Sequence, residues 1–152
     1  MKNIIYSFDD RVTSAELFDL MAEMEKSKTD RFPPKNVFHV ALRDTKKEDI
    51  ALNNTISVTA RDKGRNGKLI GFLRLLTDRA YIHYILDVMV DPDYRKQGIG
   101  KQLIEITLNN CRKEGFIKIF LTAIPGSEPF YEKFGFKEGM SPVLTIRGED
   151  YI

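Results

Sequence analysis

The sequence predicts an α/β fold in which helices flank a mixed, mostly antiparallel sheet. Segments with strand periodicity alternate with amphipathic helical segments along nearly the whole chain. The dipeptide Asn66-Gly67 joins two strand-like segments in the middle, which indicates that these strands are antiparallel neighbours. A long helical segment then connects two β-rich runs, and a helix crossover of this kind makes its two strands parallel.

Length, composition and charge are those of one globular domain, which we expect to span residues 1–152. The net charge of +2 gives no reason to expect a nucleic-acid partner, and no apolar run approaches the length of a membrane span. The single cysteine excludes an internal disulfide, and His39 and His83 lack the spacing of metal ligands. These properties predict a cytoplasmic protein with no metal, nucleic-acid or membrane partner.

The N-terminal part of the chain predicts a strand over residues 2–8 and a helix over residues 14–27. Thr13 and Glu16 have the spacing of a capping box at the start of that helix, and apolar residues then follow at helical spacing. Residues 35–49 leave a short helix and an irregular loop open as alternatives.

Three strands are predicted in the middle of the chain. Alternating apolar residues predict the first over residues 55–61, and a turn over residues 63–68 leads into the second over residues 69–75. Residues 81–90 form the third, a long apolar run typical of a strand that is buried on both faces.

The C-terminal part alternates helix and strand again. An apolar stripe predicts a helix over residues 99–113, with Gly115 as its C-cap. A β-rich run over residues 116–124, a short helix over residues 130–134 and a last strand over residues 143–147 complete the predicted elements.

The segment between the third middle strand and the long helix has the composition of a phosphate-binding loop. Arg95 is followed by Gly98 and Gly100, and glycines let backbone N–H groups come close to one anion. The N-terminus of the helix adds the positive end of its dipole. This order of strand, glycine-bearing loop and helix predicts a pyrophosphate site, and therefore a phosphate-bearing cofactor.

The chain resembles the GNAT superfamily of N-acetyltransferases, which use acetyl-CoA. The loop Arg95-Lys-Gln-Gly-Ile-Gly100 is similar to the family's Q/R-x-x-G-x-G/A loop, and an apolar strand precedes it as in the family. Downstream, Glu128-Pro-Phe-Tyr-Glu-Lys-Phe-Gly-Phe136 is similar to the family's F-Y-E-K-x-G-F segment. Residues 28–54 are the portion least similar to the family.

The resemblance implies a binding mode for acetyl-CoA. The parallel strands at residues 86–90 and 117–124 would splay apart at their C-terminal ends and hold the pantetheine arm between them. The backbone of Val88, Met89 and Val90 would contact this arm and the thioester. The residues expected around the pyrophosphate are Arg95, Lys96, Gln97, Gly98, Ile99, Gly100 and Lys101.

The resemblance also implies direct transfer of the acetyl group to a primary amine of a small molecule or a protein. Tyr131 of the F-Y-E-K segment would be the general acid that protonates the leaving thiolate, since a phenol with a pKa of about 10 stays protonated at neutral pH. The alternative is a non-catalytic acyl-CoA-binding sensor. A homodimer is common in the resembled family, but the sequence determines neither the oligomeric state nor the acceptor.

The general base is left open between Tyr84 and Asp87 of the third middle strand. Strand parity places the two side chains on opposite faces, and a bulge in this strand would change that arrangement. For Asp87, a structural carboxylate and a substrate role are equally favoured. His83 is interpreted as a strand residue with satisfied hydrogen bonds. The basic turn residues are interpreted as solvated; they are Lys63, Arg65 and Lys68.

Overall fold

The computed structural model describes residues 3–27, 44–139 and 144. Its helices and strands are β1 (Ile4–Ser7), α1 (Ser14–Lys26), α2 (Thr45–Asn54), β2 (Ile56–Asp62), β3 (Lys68–Thr77), β4 (Ile82–Val90), α3 (Ile99–Glu114), β5 (Lys118–Leu121) and α4 (Glu128–Glu132). The chain divides into two compact units, residues 1–122 and residues 123–152. The first unit holds the sheet, and α4 belongs to the second. The expectation of one domain over the whole chain stays a prediction.

The five strands form one sheet in the order β1-β2-β3-β4-β5. The first four are antiparallel neighbours, whereas β4 and β5 are parallel, with Ile82 opposite Lys118 and Ile85 opposite Leu121. Helix α3 is the crossover that connects this parallel pair. These findings confirm the predicted mixed, mostly antiparallel sheet flanked by helices.

The helices cover opposite faces of the sheet. One buried cluster joins α1 and α2 to the sheet; its members are Val12, Leu17, Leu20, Met21, Met24, Leu52, Leu69, Phe72 and Met89. On the other face α3 lies close to β3 at Gly71, where an added Cβ would come within 2.8 Å of Ile99 Cγ2. Only a glycine permits this approach, which fixes the start of α3 against the sheet. None of the described helices is long and apolar enough to cross a membrane.

Local signals place the ends of several elements as predicted. The capping box at α1 is present, since the Glu16 N–H donates to Thr13 Oγ1 at 3.2 Å and the Thr13 N–H donates to Glu16 Oε2 at 2.9 Å. Asn66 and Gly67 have φ of 55° and 74° in the turn before β3, and Gly115 has φ of 75° at the end of α3. Left-handed backbone is the conformation that each of these signals predicts.

Three predicted elements differ from the structure. The sequence leaves residues 35–49 open between a short helix and a loop, and helix α2 begins within them at Thr45 and ends beyond them. It begins there because the Asp44 carboxylate caps it by accepting from the N–H of Lys46 at 2.9 Å. Strand β5 is shorter than the predicted run over residues 116–124. The prediction that β4 is buried on both faces is wrong, because only His83, Ile85 and Met89 of the strand are buried and Ile82 is 49% exposed. The predicted strand over residues 143–147 lies outside the described residues except for position 144.

Candidate active site

The loop between β4 and α3 has the backbone of an anion-binding site. Lys96 and Gly98 have φ of 58° and 80°, and left-handed residues in a turn direct successive N–H groups toward one concave side. No described side chain caps the N-terminus of α3, and the first backbone hydrogen bond of the helix runs from the Gln102 N–H to the Gly98 oxygen at 2.9 Å. Among the described residues, no acceptor occupies the N–H groups of residues 98–101, so they can bind phosphate oxygens.

The space in front of this loop is open. A Cβ added to Gly98 would meet no atom within 4 Å, so any side chain at this position would project into the space where an anion would lie. Arg95, Lys96 and Lys101 place three positive charges on the loop and the first turn of α3. The structure thus brings the predicted pyrophosphate residues together on one short segment.

One buried and one part-buried interaction attach this loop to the end of β2 and the start of β3. The Tyr94 hydroxyl donates to Asp62 Oδ2 at 2.6 Å, and Lys68 Nζ lies 2.8 Å from Asp91 Oδ2. Burial and the bond to Asp62 raise the pKa of Tyr94 to about 12, which keeps its phenol a donor. The interpretation of Lys68 as solvated is wrong, because Asp91 is a buried carboxylate that needs a cation. The pairings of Tyr94 with Asp62 and of Lys68 with Asp91 could not be predicted, because each joins residues far apart in the sequence.

Strand β4 has an open edge beside the loop. The Asp91 N–H donates to the Ile70 oxygen of β3 at 2.8 Å, and Met89 lies opposite Phe72 of β3. Because neighbouring residues of a strand direct their N–H and C=O groups to opposite edges, those of Val88 and Val90 face away from β3. Strand β5 pairs with β4 only as far as Ile85, so no described strand covers this edge between Leu86 and Val90. A ligand with amide groups can add to it like a strand.

Strand β4 carries a bulge at Asp87. Leu86 lies opposite Arg74 and Met89 lies opposite Phe72, so β4 has one residue more than β3 between these pairs. Asp87 itself has φ of 51°, a left-handed conformation that few residues other than glycine adopt. The bulge turns the Asp87 carboxylate toward Arg74, whose Nε lies 2.8 Å from Asp87 Oδ2.

Because of the bulge, the Asp87 and Tyr84 side chains lie on the same face of the sheet. Tyr84 lies opposite Leu76, two residues from Arg74, and therefore on the same face of the sheet as Arg74. The Tyr84 ring stacks on Phe120 of β5 with 6.3 Å between the centroids. The prediction from strand parity that Tyr84 and Asp87 lie on opposite faces is therefore wrong, because the extra residue shifts Asp87 to the other face.

Arg74 joins the bulge to helix α2. One of its terminal nitrogens contacts the Glu48 carboxylate, and its guanidinium carbon lies 5.7 Å from the centroid of the Phe72 ring. The side chains of Arg74, Glu48 and Asp87 are 8%, 18% and 20% exposed. Burial raises the pKa of Asp87, the Arg74 charge opposes this shift, and the Glu48 charge adds to it. We call Glu48, Arg74 and Asp87 the Arg74 cluster.

Helix α4 of the second unit carries Tyr131 in an aromatic setting. Its ring makes edge contacts with Phe130 and Phe136, at centroid distances of 5.0 and 6.2 Å. Burial raises the pKa of Tyr131, so the phenol is protonated at neutral pH. Among the described residues, none forms a hydrogen bond with its hydroxyl group. The side chain is therefore available as a proton donor.

His83 differs from its interpretation as a satisfied strand residue. The side chain is fully buried, and neither ring nitrogen has a hydrogen-bond partner within the described part of the chain. Its ring meets the edge of Phe116 at 6.2 Å between centroids, and Ile85 lies two residues along on the same apolar face. The interpretation is wrong because no described residue supplies a hydrogen-bond partner to this buried ring.

Comparison with known proteins identifies the family. Residues 22–146 match the family model described as an acetyltransferase (GNAT) domain. The chain belongs to the GNAT family. This confirms the resemblance that the 95–100 loop and the 128–136 segment carried.

Among related GNAT sequences, the chain is 35% identical over 96 residues to an uncharacterized N-acetyltransferase, ycf52, of Pyropia yezoensis, which covers 62% of this chain and 55% of that protein. It is 36% identical over 77 residues to glucosamine 6-phosphate N-acetyltransferase of Trypanosoma brucei brucei, over 47% of this chain and 52% of that protein. The chain spans about half the length of the curated relatives it matches.

Solved structures share the fold. A probable acetyltransferase from meticillin-resistant Staphylococcus aureus, SA2161, superposes with a TM-score of 0.73 at 21% identity, over 95% of this chain and 98% of that one. A predicted acetyltransferase of Clostridium acetobutylicum, crystallised with acetyl-CoA, gives a TM-score of 0.66 at 17% identity, over 98% and 99%. At these identities the likeness establishes the GNAT fold and leaves the acceptor undefined.

Proposed function

We propose that this GNAT protein transfers the acetyl group of acetyl-CoA directly to a primary amine of a small molecule or a protein. The observation that carries the proposal is the set of N–H groups at residues 98–101, for which no described residue is an acceptor. They lie at the end of a strand edge that no described strand covers. CoA has a diphosphate for the first feature and an amide-bearing arm for the second. The Clostridium acetobutylicum neighbour, crystallised with acetyl-CoA, supports this choice of cosubstrate.

The open edge of β4 would bind the pantetheine arm and the thioester. Val88 and Val90 both present backbone groups to that edge, whereas the backbone of Met89 pairs with Phe72. The Val90 N–H is therefore our choice for the donor that polarises the thioester carbonyl and stabilises the oxyanion of the tetrahedral intermediate. Arg95, Lys96 and Lys101 would add charge around the diphosphate.

The protein's own groups suit direct transfer better than a covalent route. Cys111 is fully buried, and burial raises the pKa of its thiol to about 11, so it is a poor nucleophile. In direct transfer the amine attacks the thioester carbonyl, the new C–N bond forms, and the C–S bond breaks. Tyr131 would give its proton to the departing thiolate, and its raised pKa keeps that proton in place until the thiolate forms.

A thiol-release assay distinguishes the enzyme from the sensor alternative. The protein is incubated with acetyl-CoA and, in turn, with spermidine, tyramine, glucosamine and a lysine-containing peptide. We expect free thiol to appear in proportion to one of these amines. Tight binding of acetyl-CoA without amine-dependent thiol would favour the acyl-CoA-binding sensor.

Two substitutions test the assigned parts separately. Gly98→Glu should abolish acetyl-CoA binding, because its carboxylate would project into the anion site. Gly115→Glu is the matched control, since Gly115 has a similar φ of 75° and an equally open surrounding at the other end of α3.

Tyr131→Phe should lower kcat by about 10-fold or more with unchanged acetyl-CoA affinity. Binding retained by Gly98→Glu, or full turnover by Tyr131→Phe, would contradict the corresponding assignment.

A further inference from the structure

The Arg74 cluster lies where β4 leaves β5. Asp87 follows shortly after Ile85, the last β4 residue that pairs with β5, and it directly precedes Val88 at the open edge. Its carboxylate is therefore the ionisable group of β4 nearest to the backbone assigned to the thioester. The proposed function rests on that backbone, and this inference rests on the proposed function.

Two features fix the position of the Asp87 carboxylate: the guanidinium of Arg74 and the backbone conformation of Asp87. Arg74 Nε lies 2.8 Å from Asp87 Oδ2, and a terminal nitrogen of the same guanidinium contacts Glu48 of α2. Because the guanidinium is rigid and planar, the contact with Glu48 fixes the edge that faces Asp87. The left-handed backbone of Asp87 costs energy, and such strain persists only where the surroundings hold it.

The cluster is short of one positive charge. Its two carboxylates share a single guanidinium, so its net charge is −1 when both are ionised. Within the described part of the chain, Arg74 Nε has no well-aligned hydrogen bond, although it lies at ion-pair distance from Asp87. Arg74 from β3 and Glu48 from α2 are the charged groups that act on Asp87 among the described residues. The Asp87 carboxylate therefore keeps the capacity to accept a second cation or a proton.

We propose that Arg74 and Glu48 are positioning residues that aim Asp87 at the acceptor amine, and that the site therefore selects amines with no anionic group beside the nitrogen. The incoming ammonium gives one proton to the Asp87 carboxylate and becomes the nucleophile. After attack the nitrogen loses a second proton, which replaces the one that Tyr131 gives to the thiolate. One proton thus remains on Asp87 and leaves to water after the amide and free CoA have formed.

The pH dependence of turnover tests the role of Glu48. Glu48→Gln removes a negative charge that raises the pKa of Asp87, so the acidic limb of the kcat/KM profile should move to lower pH. Asp87→Asn should lower kcat about 100-fold and abolish that limb. The KM for acetyl-CoA should stay unchanged in both variants. Glu23→Gln is the control, because Glu23 pairs with Lys26 on α1 and should leave the profile in place.

The choice of acceptor tests the charge argument. Tyramine and tyrosine differ by one carboxylate beside the amine, and wild type should use tyramine at least about 10-fold better in kcat/KM. Arg74→Lys keeps the charge but loses the planar fork, so it should lower kcat and reduce this preference. Equal use of the two amines by wild type would overturn the selection of acceptors.

A titration that needs no turnover guards against a variant that is merely inactive. The ¹³C resonance of the Asp87 carboxylate, assigned by its loss in Asp87→Asn, is followed against pH in wild type, Glu48→Gln and Glu23→Gln. Its midpoint should fall only in Glu48→Gln, and an unmoved midpoint would overturn the coupling. Full activity of Asp87→Asn beside an active wild type would overturn this inference alone. A wild type without amine-dependent thiol release would overturn the proposed function and this inference with it.

Discussion

Two arginines on neighbouring strands each contact a pair of carboxylates. The pKa of both carboxylates is lowered around Arg61, whereas that of Asp87 is raised beside Arg74. Arg61 of β2 lies 2.8 Å from Asp10 and 2.6 Å from Glu16, and it also donates to the carbonyl oxygens of Arg11 and Gly67. We call Arg61, Asp10 and Glu16 the Arg61 cluster. In the Arg74 cluster the same charges meet around a bulge, and no described residue makes an aligned hydrogen bond with the Arg74 Nε.

The carboxylates of the two clusters differ in how easily they ionise. Burial is the largest single influence on Asp10 and Glu16 and favours their neutral forms. The hydrogen bonds and charge of Arg61, together with hydrogen bonds from neighbouring residues, outweigh it, so the pKa of each lies below its usual range. Burial prevails at Asp87, whose pKa is raised. Identical charge composition is thus no guide to role, because the number of aligned hydrogen bonds decides whether a buried carboxylate stabilises the fold or stays reactive.

The largest expected effect separates the clusters by stability. Arg61→Ala should lower the free energy of unfolding by about 3 kcal/mol, because it leaves two partly buried carboxylates without their cation. Its kcat per folded molecule should equal that of wild type. Urea denaturation measures the first quantity, and Lys26→Ala, which breaks an exposed pair, should cost less than about 0.5 kcal/mol. Similar losses in the two variants would remove the distinction between the Arg61 cluster and an ordinary surface pair.

The pH dependence of stability should come next in size. Asp10 and Glu16 have lower pKa values folded than unfolded, so their contribution is present above about pH 4 and is lost as pH falls through the folded values. Asp10→Asn with Glu16→Gln should therefore be less stable than wild type by about 1–2 kcal/mol at pH 7. The difference should shrink toward pH 3 in urea titrations. A constant difference across this range would show that ionisation is not the cause.

Asp87→Asn should act on stability with the opposite sign. The raised pKa means that the folded protein binds this proton more tightly than the unfolded chain does. The favourable contribution is complete below the unfolded pKa of about 4 and is lost as pH rises through the folded value. At pH 7 the substitution removes a costly charge, so thermal denaturation should find the variant as stable as wild type or more stable. A marked fall in Tm would mean that Asp87 holds the bulge together.

The smallest effect is expected on the opposite face of the sheet. His83→Leu replaces a buried ring that has no hydrogen-bond partner among the described residues by an apolar side chain, and should raise stability by about 1 kcal/mol or less. Turnover should not change. Differential scanning calorimetry and the thiol-release assay measure the two quantities. A loss of activity would extend the functional region from the Arg74 cluster to the α3 face.

Local features of the fold could be predicted from the sequence because short-range contacts produce them. The capping box at Thr13, the Asn66-Gly67 turn and the Gly115 cap depend on residues a few positions apart. The same holds for the backbone of the loop that we propose binds the diphosphate, where Gly98 has φ of 80° directly before α3.

Features that depend on a distant partner could not be predicted. The bulge adds a residue to β4 without changing its apolar pattern, so parity misplaced Asp87 relative to Tyr84. One signal was available: Arg74 interrupts an apolar run in β3, and a buried charge requires a partner. The identity of that partner, Glu48, depends on a helix in the portion least similar to the family.

The hydrogen bond between Tyr94 and Asp62 and the ion pair between Lys68 and Asp91 restrict how this protein can be engineered. Hairpin tips are ordinarily the safest places to insert a tag or a domain. Here Asp62 and Lys68, the residues at the two ends of the tip, contact the loop that we propose binds the diphosphate, so we expect a longer tip to displace that loop. Tags and domains are better fused elsewhere. A shortened or lengthened tip should weaken CoA binding without changing any residue assigned to bind CoA.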